Sequence, residues 1–387
     1  MPPPVTPGAG RKVKRGEQIN AARRRSRRRH ASLLAVVATT LLIASCSSDL
    51  PQSSLNPQST EASEIDGLWI LTLVIMTVIF VAVEAALIYS IVRFRKRKDD
   101  DTEPKQTHGN TRLEIVWTII PAVILAFVAV PTLRVHFDLR EPAAGPDVIQ
   151  VEVTGHQWWW EFTYPEIIGP DGRPLVTANE LHIPAGRTTN LTLTSADVIH
   201  SFWVPPLNGK RDLVPGQLTN LTLTPDADTA GDVIPGQCAE YCWLGHADMR
   251  LNVFVETPAG FDSWAAEQLS PARVPAGAVA AAGYETFTQL CTTCHQAHVL
   301  NPDGSTEVVG VAFGPDLTHF GGRETLGAGI LSNTVEHLAQ WIDNPSDLKA
   351  MAPDLNDLAE ERILGMPDYG LDEAQIAELV ALLEGWE

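Results

Sequence analysis

The sequence predicts a membrane protein with three folded parts: a helical hairpin, an all-β domain and an all-α domain. Long apolar runs lie at 67–92 and 115–133, strand-like alternation fills 146–256, and helical spacing returns after a segment rich in proline and glycine. The length of 387 residues agrees with two or three domains, and an apolar content of 44% excludes a wholly disordered chain.

Charge is unevenly distributed along the chain. The part after Arg112 contains only 11 of the 28 basic residues but 37 of the 47 acidic residues. A strongly acidic surface repels phosphate groups. The composition therefore excludes nucleic-acid binding and favours a basic partner.

Residues 1–45 have the pattern of a secretory signal. Ten basic residues fall within the first 30, and a short apolar run at 33–44 leads to small residues before Cys46. The four residues that end at Cys46 resemble the bacterial lipoprotein cleavage box. We expect cleavage before Cys46 and lipid attachment to it, with 46–64 as a linker. The alternative is an uncleaved anchor with an incidental cysteine.

The transmembrane hairpin is predicted over residues 65–135. As a helix, the 67–92 run would reach about 39 Å, enough to cross a hydrocarbon layer of about 30 Å. Glu84 within it indicates a face that meets another protein helix. Seven basic residues between 93 and 112 place the connecting loop in the cytoplasm. Both termini and the later domains are then expected on the outer face. Two buried helices of a soluble protein are the alternative.

The all-β domain is predicted over residues 136–256. Apolar and polar residues alternate at 148–153, 188–194 and 218–224, and turn signals such as Pro-Ala-Gly at 184–186 separate these runs. Short strands at this spacing predict a sandwich or a Greek-key barrel.

A cluster of soft metal donors ends this domain. Cys238, Cys242, His246 and Met249 fall within twelve residues. Sulfur with imidazole suits copper, and two thiolates can bridge two copper ions. Each ion then needs a terminal imidazole, and His200 on another loop is the candidate for the second one. A zinc site and a disulfide between the two cysteines are the alternatives.

Four motifs resemble those of subunit II of the haem–copper cytochrome c oxidases over about residues 65–256. They are the Cys-x-Glu-x-Cys-x-x-x-His-x-x-Met run from Cys238, His-Ser-Phe-Trp-Val-Pro from His200, Gly-His-Gln-Trp-Trp-Trp from Gly155, and Glu-Ile-Val-Trp-Thr-Ile-Ile-Pro from Glu114. The resemblance implies a cupredoxin-like Greek-key barrel that holds the dinuclear copper centre CuA.

The same resemblance implies the role of each site residue. The expected CuA ligands are Cys238 and Cys242 as bridges, His200 and Met249 on one copper, and His246 and the backbone carbonyl of Glu240 on the other. The Glu240 carboxylate would face a magnesium or manganese site shared with subunit I.

Two residues have expected roles outside the copper site, and two others depart from the family pattern. Trp158 corresponds to the surface tryptophan through which electrons enter. Glu114 corresponds to the glutamate at the mouth of a proton channel of subunit I, with a helix-cap carboxylate as the alternative. Trp243 stands where the family usually has glycine, and Trp159 where it has tyrosine.

A predicted linker at 257–277 leads to a C-terminal domain at 278–387. This domain contains Cys-Thr-Thr-Cys-His, the attachment signature of c-type haem. Cys291 and Cys294 would bond covalently to the haem, and His295 would ligate its iron. A redox or zinc Cys-x-x-Cys site is the alternative.

The second haem ligand is expected later in the chain. Met366 lies six residues before Asp372, the predicted cap of the last amphipathic helix. Met351 is the rival. The domain resembles class I cytochrome c, in which a loop like the one at Pro315 supplies a carbonyl that orients the histidine corresponding to His295. A subunit II with this extension resembles the caa-type oxidases.

The resemblance implies an electron-transfer subunit of a proton-translocating cytochrome c oxidase that is active only within its complex. Haem c would reduce CuA, and CuA would reduce the haem of subunit I, where oxygen becomes water and protons are pumped. The expected partners are subunits I and III, a cytochrome c or bc1-type donor and the bacterial plasma membrane. The alternatives are a periplasmic copper reductase, a nitric oxide reductase subunit and a copper-delivery protein.

Overall fold

The fold is taken from a computed structural model. It describes residues 50–95, 106, 108–274, 276–301, 303–352 and 365–386. The predicted signal segment and Cys46 lie outside these ranges.

Two long apolar helices begin the described chain. Helix α1 spans Thr60–Arg93 and α2 spans Thr111–Asp138, and both are long and apolar enough to cross a membrane. No residue of the most hydrophobic stretch of either helix is buried. Such helices satisfy their backbone hydrogen bonds internally and can expose apolar side chains to lipid. The predicted pair of helices is confirmed, with α1 beginning earlier than residue 65.

The start of α1 is attached to the β domain. Ser59 caps the helix, because its hydroxyl oxygen accepts a hydrogen bond from the Ala62 amide at 3.0 Å. The Glu61 carboxylate is buried and accepts hydrogen bonds from the Thr224 amide and hydroxyl, both at 2.8 Å. A buried carboxylate with two donors fixes the angle at which α1 leaves the barrel.

The β domain, called the barrel throughout, is a sandwich of two five-stranded sheets. Its strands are β1 Ile149–His156, β2 Trp159–Ile168, β3 Pro174–Ala178, β4 Glu180–Pro184, β5 Thr189–Ser195, β6 His200–Trp203, β7 Arg211–Leu213, β8 Thr219–Leu223, β9 Val233–Cys238 and β10 Arg250–Glu256. The sheet orders are β3-β2-β1-β5-β8 and β4-β10-β9-β6-β7. Only β1 with β5 and β4 with β10 pair in parallel among these strands. The predicted all-β domain is confirmed.

Alternating residues of β2 fill the space between the sheets. Trp160, Phe162 and Tyr164 are fully buried. Trp160 meets Phe202 from the opposite sheet edge-to-face, with ring centroids 5.5 Å apart. Burial of one such side chain contributes about 1.5–3 kcal/mol. Trp160 also meets His200, the first residue of β6, with ring centroids 6.1 Å apart.

The segment predicted as a linker, 257–277, contains a helix that belongs to the barrel. Helix α3 spans Pro258–Gln268, and proline is well accommodated in its first turn. Phe261 and Ala265 are buried against the barrel core, and Trp264 packs beside them. Because this apolar face is covered, most of the segment is part of a domain rather than a free connection.

In its described residues, the C-terminal domain combines three helices with short strands. The helices are α4 Ala278–Leu290, α5 Val335–Asp343 and α6 Glu373–Glu384. The strands β11 Ala272–Arg273, β12 Gln296–Leu300 and β13 Thr306–Gly310 form one sheet, and β14 Thr325–Leu326 pairs with β15 Leu331–Ser332. These strands add to the predicted helical fold.

Helices α4 and α6 cross at Gly283. A Cβ atom there would lie 2.1 Å from the Glu378 carbonyl oxygen, so only glycine permits this approach. Phe287 meets Trp386 edge-to-face beside the crossing, with ring centroids 5.0 Å apart. Asp372 caps α6 in a capping box, as predicted.

Candidate metal centre and haem pocket

Five predicted ligand side chains meet at one end of the barrel. Cys238 Sγ lies 3.8 Å from Cys242 Sγ and 4.0 Å from His200 Nδ1. Cys242 Sγ lies 3.6 Å from His246 Nδ1 and 3.9 Å from Met249 Sδ. Two thiols, two imidazoles and a thioether therefore form a single cluster.

Glu240 offers two different oxygen donors. Its backbone carbonyl oxygen lies 3.2 Å from Cys238 Sγ, on the cluster. Its side chain is exposed, and carboxylate Oε1 accepts a hydrogen bond from the Tyr241 amide at 3.3 Å. The carbonyl thus adds a sixth donor to the cluster, while the carboxylate reaches the surface.

Sheet pairing brings the separate parts of the cluster together. His200 is the first residue of β6 and Cys238 the last of β9, and Phe202 on β6 pairs with Cys238. The following loop returns so that Met249, directly before β10, completes the cluster. His200 and Met249 are fully buried and the thiols nearly so, which gives the site a dry interior.

Asp197 orients His200 and was missed by the sequence analysis. Its Oδ1 accepts a hydrogen bond from His200 Nε2 at 2.8 Å. The unprotonated Nδ1 then faces Cys238 and is available to a metal. Burial raises the pKa of Asp197, but hydrogen bonds from His200, Val198 and Gln157 outweigh burial and lower it overall. An aspartate three residues before a candidate ligand histidine was the available signal.

The two thiols have strongly coupled protonation. The hydrogen bond from Cys242 lowers the pKa of Cys238 well below that of an ordinary thiol, and His200 lowers it further. The same bond raises the pKa of Cys242. Cys238 is therefore the thiol that deprotonates first, and thiolate is the form that binds metal.

The loop between the cysteines and His246 is shaped by two residues. Trp243 has φ +86°, in the left-handed region that favours glycine and that a side chain such as tryptophan rarely adopts. A Cβ atom on Gly245 would lie 2.6 Å from the Trp158 ring. The loop can therefore approach Trp158 only through a glycine.

Trp158 links the cluster to the C-terminal domain. Its Nε1 donates to the Cys242 carbonyl at 2.7 Å, and Gln157 Nε2 donates to the same oxygen at 3.0 Å. The expected surface position is incorrect for this chain, because Trp158 is only 3% exposed. The C-terminal domain covers it, and Trp159 beside it stacks on His156 with ring centroids 4.1 Å apart.

A cavity of about 740 Å³ lies between Trp158 and the C-terminal domain. Cys291, Cys294 and His295 line one part of it, and the barrel contributes His156, Gln157, Trp158 and Trp159. The predicted haem attachment motif therefore shares a cavity with the predicted point at which electrons enter the copper domain.

His295 is held in a fixed tautomer. Its Nδ1 lies 2.8 Å from the Pro315 carbonyl oxygen, which can only accept, so Nδ1 carries the proton and Nε2 remains available to a metal. Burial lowers the pKa of His295, although this hydrogen bond opposes the effect. A Cβ atom on Gly314 would lie 2.8 Å from the ring. The orienting role expected of the Pro315 loop is confirmed.

Both candidate methionines line the cavity. Met366 and Met351 each contribute to its wall. A Cβ atom on Gly365 would lie 2.5 Å from Met351 Sδ, so the two segments are in close contact. The assignment of Met366 as the second haem ligand stays a prediction.

Glu114 lies apart from these sites, in the first turn of α2. It is exposed, and its Oε1 accepts a hydrogen bond from the Asn110 amide at 3.2 Å. This is the geometry of the helix-cap alternative, and a proton-channel role stays a prediction.

The residues present fit both expected groups. Two buried thiols, two imidazoles, a thioether and a carbonyl are a donor set for copper. The cavity has two free thiols and an imidazole with Nε2 available on one wall, with thioethers also present, which suits a covalently attached haem.

Three family models match the chain in order. They are the transmembrane domain of cytochrome c oxidase subunit II at residues 50–135, its periplasmic domain at 169–256, and cytochrome c at 280–386. These domains define a membrane-associated redox subunit. Domains of the second kind generally bind copper, and domains of the third kind generally bind haem c.

Relatives agree with this class. Cytochrome c oxidase subunit 2 of Alkalihalophilus pseudofirmus is 34% identical over 84% of this chain and 92% of its own length, and that of Bacillus sp. is 33% identical over 71% and 78%. The chain therefore belongs to the cytochrome c oxidase subunit II family. The crystal structure of the subunit II periplasmic domain from Bradyrhizobium japonicum is 27% identical, with a TM-score of 0.28, over 30% of this chain and 91% of that one.

Proposed function

We propose that this chain receives electrons for a bacterial cytochrome c oxidase and delivers them to its oxygen-reducing subunit. Copper and haem c supply one-electron transfer when bound, and the chain's residues hold and surround them. The observation that supports this most directly is the convergence of His200, Cys238 and Cys242, whose donor atoms all lie within 4.8 Å of one another.

The proposed ligands are those expected from the resemblance. Cys238, Cys242, His200, Met249, His246 and the Glu240 carbonyl would hold copper, with the two thiolates shared between the ions. In the haem pocket, Cys291 and Cys294 would be the attachment points, and His295 and Met366 would hold the iron. The orientation of His200 by Asp197 and of His295 by Pro315 supports these roles, because both leave the required nitrogen unprotonated.

The shared cavity supports a path from the haem pocket to the copper site. Trp158 lines the cavity and donates through Nε1 to the carbonyl of Cys242, a proposed copper ligand. One residue thus contacts both the cavity and a proposed copper ligand. We assign to Trp158 the transfer of electrons into the copper domain.

The remaining partners follow from membership in such a complex. We propose that α1 and α2 cross the bacterial plasma membrane beside subunits I and III, with both soluble domains outside. Oxygen reduction to water and proton pumping then belong to subunit I, fed by a cytochrome c or bc1-type donor. Glu240 would face a magnesium or manganese ion there, and Glu114 a proton channel. Cleavage and lipid attachment at Cys46 are tested by mass spectrometry of the mature N-terminus.

The copper proposal is tested by substitution of a bridging thiol. Cys242→Ser should abolish the mixed-valence copper EPR signal, because a hydroxyl does not bridge copper as a thiolate does. Met249→Leu should keep both coppers and change their reduction potential. Met76→Leu, at an exposed position of α1, is the matched control and should change neither. A seven-line copper pattern retained in the Cys242 variant would reject the assignment.

A further inference from the structure

The β14–β15 hairpin of the C-terminal domain lies against the metal-binding end of the barrel. The Ala328 carbonyl, in its turn, accepts a hydrogen bond from the Arg250 amide at 3.1 Å. Arg250 directly follows the predicted ligand Met249. A Cβ atom on Gly329 would lie 3.4 Å from Arg250 Cβ, so the turn packs closely against the start of β10.

A buried carboxylate of the barrel holds the base of this hairpin. Glu180 Oε1 accepts hydrogen bonds from the Glu324 amide at 3.0 Å and from the Thr325 amide and hydroxyl, both at 2.9 Å. Glu180 is only 4% exposed. A buried carboxylate is costly unless hydrogen-bonded, and here the donors all come from the other domain.

Lys349 joins the two domains at the centre of the contact. Its Nζ donates to the Trp158 carbonyl at 2.7 Å and to the Gly327 carbonyl at 2.9 Å, and the residue is 4% exposed. No ion pair of Lys349 with a carboxylate occurs within the part of the chain that the structure describes. The two carbonyls therefore compensate for the free-energy cost of burying the amine. One belongs to each domain, so they come together only when the domains are docked.

The two hydrogen bonds do not depend on one protonation state. Burial lowers the pKa of Lys349 to about 7, while Asp248 and Cys242 oppose this effect. A neutral amine has two N–H groups and an ammonium has three, so either form can donate to both carbonyls.

We propose that Lys349 is a positioning residue that locks the cytochrome domain over Trp158, so that this face of the copper domain is closed to any separate cytochrome. The proposal rests on the proposed function, because it concerns the route by which electrons reach the copper site. Trp158 is 3% exposed with the domain docked. A separate donor then reduces the haem of this chain and does not reach the copper site through Trp158.

The test uses the intact, fully loaded oxidase with Lys349→Met, which keeps the length of the side chain and removes its N–H donors. Lys210→Met, at an exposed position of the barrel, is the matched control. Loss of hydrogen bonds from a buried donor is expected to lower the equilibrium constant for docking about tenfold. The undocked population should rise by about the same factor, and haem-to-copper electron transfer should gain a slower component that depends on solvent viscosity, because an undocked domain must search for its docked position.

Hydrogen exchange provides a second measurement that does not depend on activity, and its first comparison needs only the wild type. The Arg250 amide donates across the domain contact, so it should be protected in the wild type and exchange about tenfold faster in Lys349→Met. The copper EPR signal and haem spectrum should be unchanged in both variants.

The outcomes separate the two proposals. Wild-type exchange of the Arg250 amide at the rate of an exposed amide would overturn the locked domain, even if the variant failed to assemble. Unchanged, viscosity-independent transfer in a fully loaded Lys349→Met oxidase would also overturn it. Absence of copper and haem signals from the wild type would instead reject the proposed function.

Discussion

Asp197→Asn should weaken the copper site without changing its ligands. The Asp197 carboxylate accepts three hydrogen bonds, from His200 Nε2 at 2.8 Å, from the Val198 amide at 2.6 Å and from the Gln157 amide at 2.7 Å. The first two are accepted by Oδ1 and the third by Oδ2. Asparagine has one acceptor oxygen and one NH₂ group, so in either orientation the NH₂ group faces at least one N–H donor.

The magnitude follows from which partner is lost. If the asparagine oxygen accepts the hydrogen bonds from His200 and Val198, its NH₂ group faces the Gln157 amide and repels it. If the side-chain amide is turned over, the NH₂ group faces His200, which then loses the acceptor that sets its tautomer. Loss of one hydrogen bond to a charged group costs about 1.5–3 kcal/mol. Substitution of a residue that orients a metal ligand typically weakens binding 10- to 100-fold. We expect about tenfold weaker copper binding in Asp197→Asn, and up to about 100-fold in Asp197→Ala, which leaves all three donors unpaired.

The assay is competition for copper between the assembled protein and a chelator, followed by the EPR signal. Asp212→Asn is the matched control, because Asp212 is exposed on β7. The reasoning would be refuted if Asp197→Asn and Asp212→Asn retained copper equally, or if Asp197→Asn lost more copper than Asp197→Ala.

Two further predictions concern the haem and the membrane. Met366→Ala should remove the weak long-wavelength absorption band of a ferric iron–thioether bond, and Met351→Ala should keep it; the reverse result would assign Met351 as the ligand. A cysteine introduced at His108 should react with a membrane-impermeant reagent only from the cytoplasm, because the basic loop stays inside. A cysteine introduced at Gly277 should react only from outside. Labelling of both from one side would contradict the hairpin topology.

The copper cluster could be predicted because most of its donors are close in sequence. Cys238, Cys242, His246 and Met249 fall on one loop, where spacing alone indicates a metal site. His200 is 38 residues away from Cys238. It was found from the chemical need for a second imidazole and from the motif around it. No periodic pattern marks it as a ligand, since the pairing of β6 with β9 creates the contact.

The prediction that residues 257–277 form a linker was wrong for the part that forms α3. It gave more weight to amino-acid composition than to the helical spacing of apolar residues. Proline, alanine and glycine are frequent in 257–277, but Pro258 stands at the first turn of a helix, where it is favoured. Phe261, Trp264 and Ala265 follow at helical spacing, and they form the face that packs on the barrel. This helical periodicity was available in the sequence, but the linker prediction did not use it.

The docked cytochrome domain could not be predicted, because its contacts join residues with no shared pattern. Lys349 and Trp158 are 191 residues apart, and Lys349 reaches a main-chain carbonyl that every residue possesses. Composition gives such a lysine the solvent-exposed position that most lysines have. Only the packing of two finished domains makes it buried, and the same packing turns the expected surface tryptophan into an interior one.

Trp158 is hydrogen-bonded both through its main chain and through its ring. Its carbonyl accepts from Lys349 of the cytochrome domain, and its indole Nε1 donates to the carbonyl of Cys242. The three residues form one chain of buried hydrogen bonds from the cytochrome domain to a proposed copper ligand. Gly245 lets the ligand loop pack directly on the same ring. The cytochrome domain and the copper loop therefore contact the same residue, the first through its main-chain carbonyl and the second through its ring.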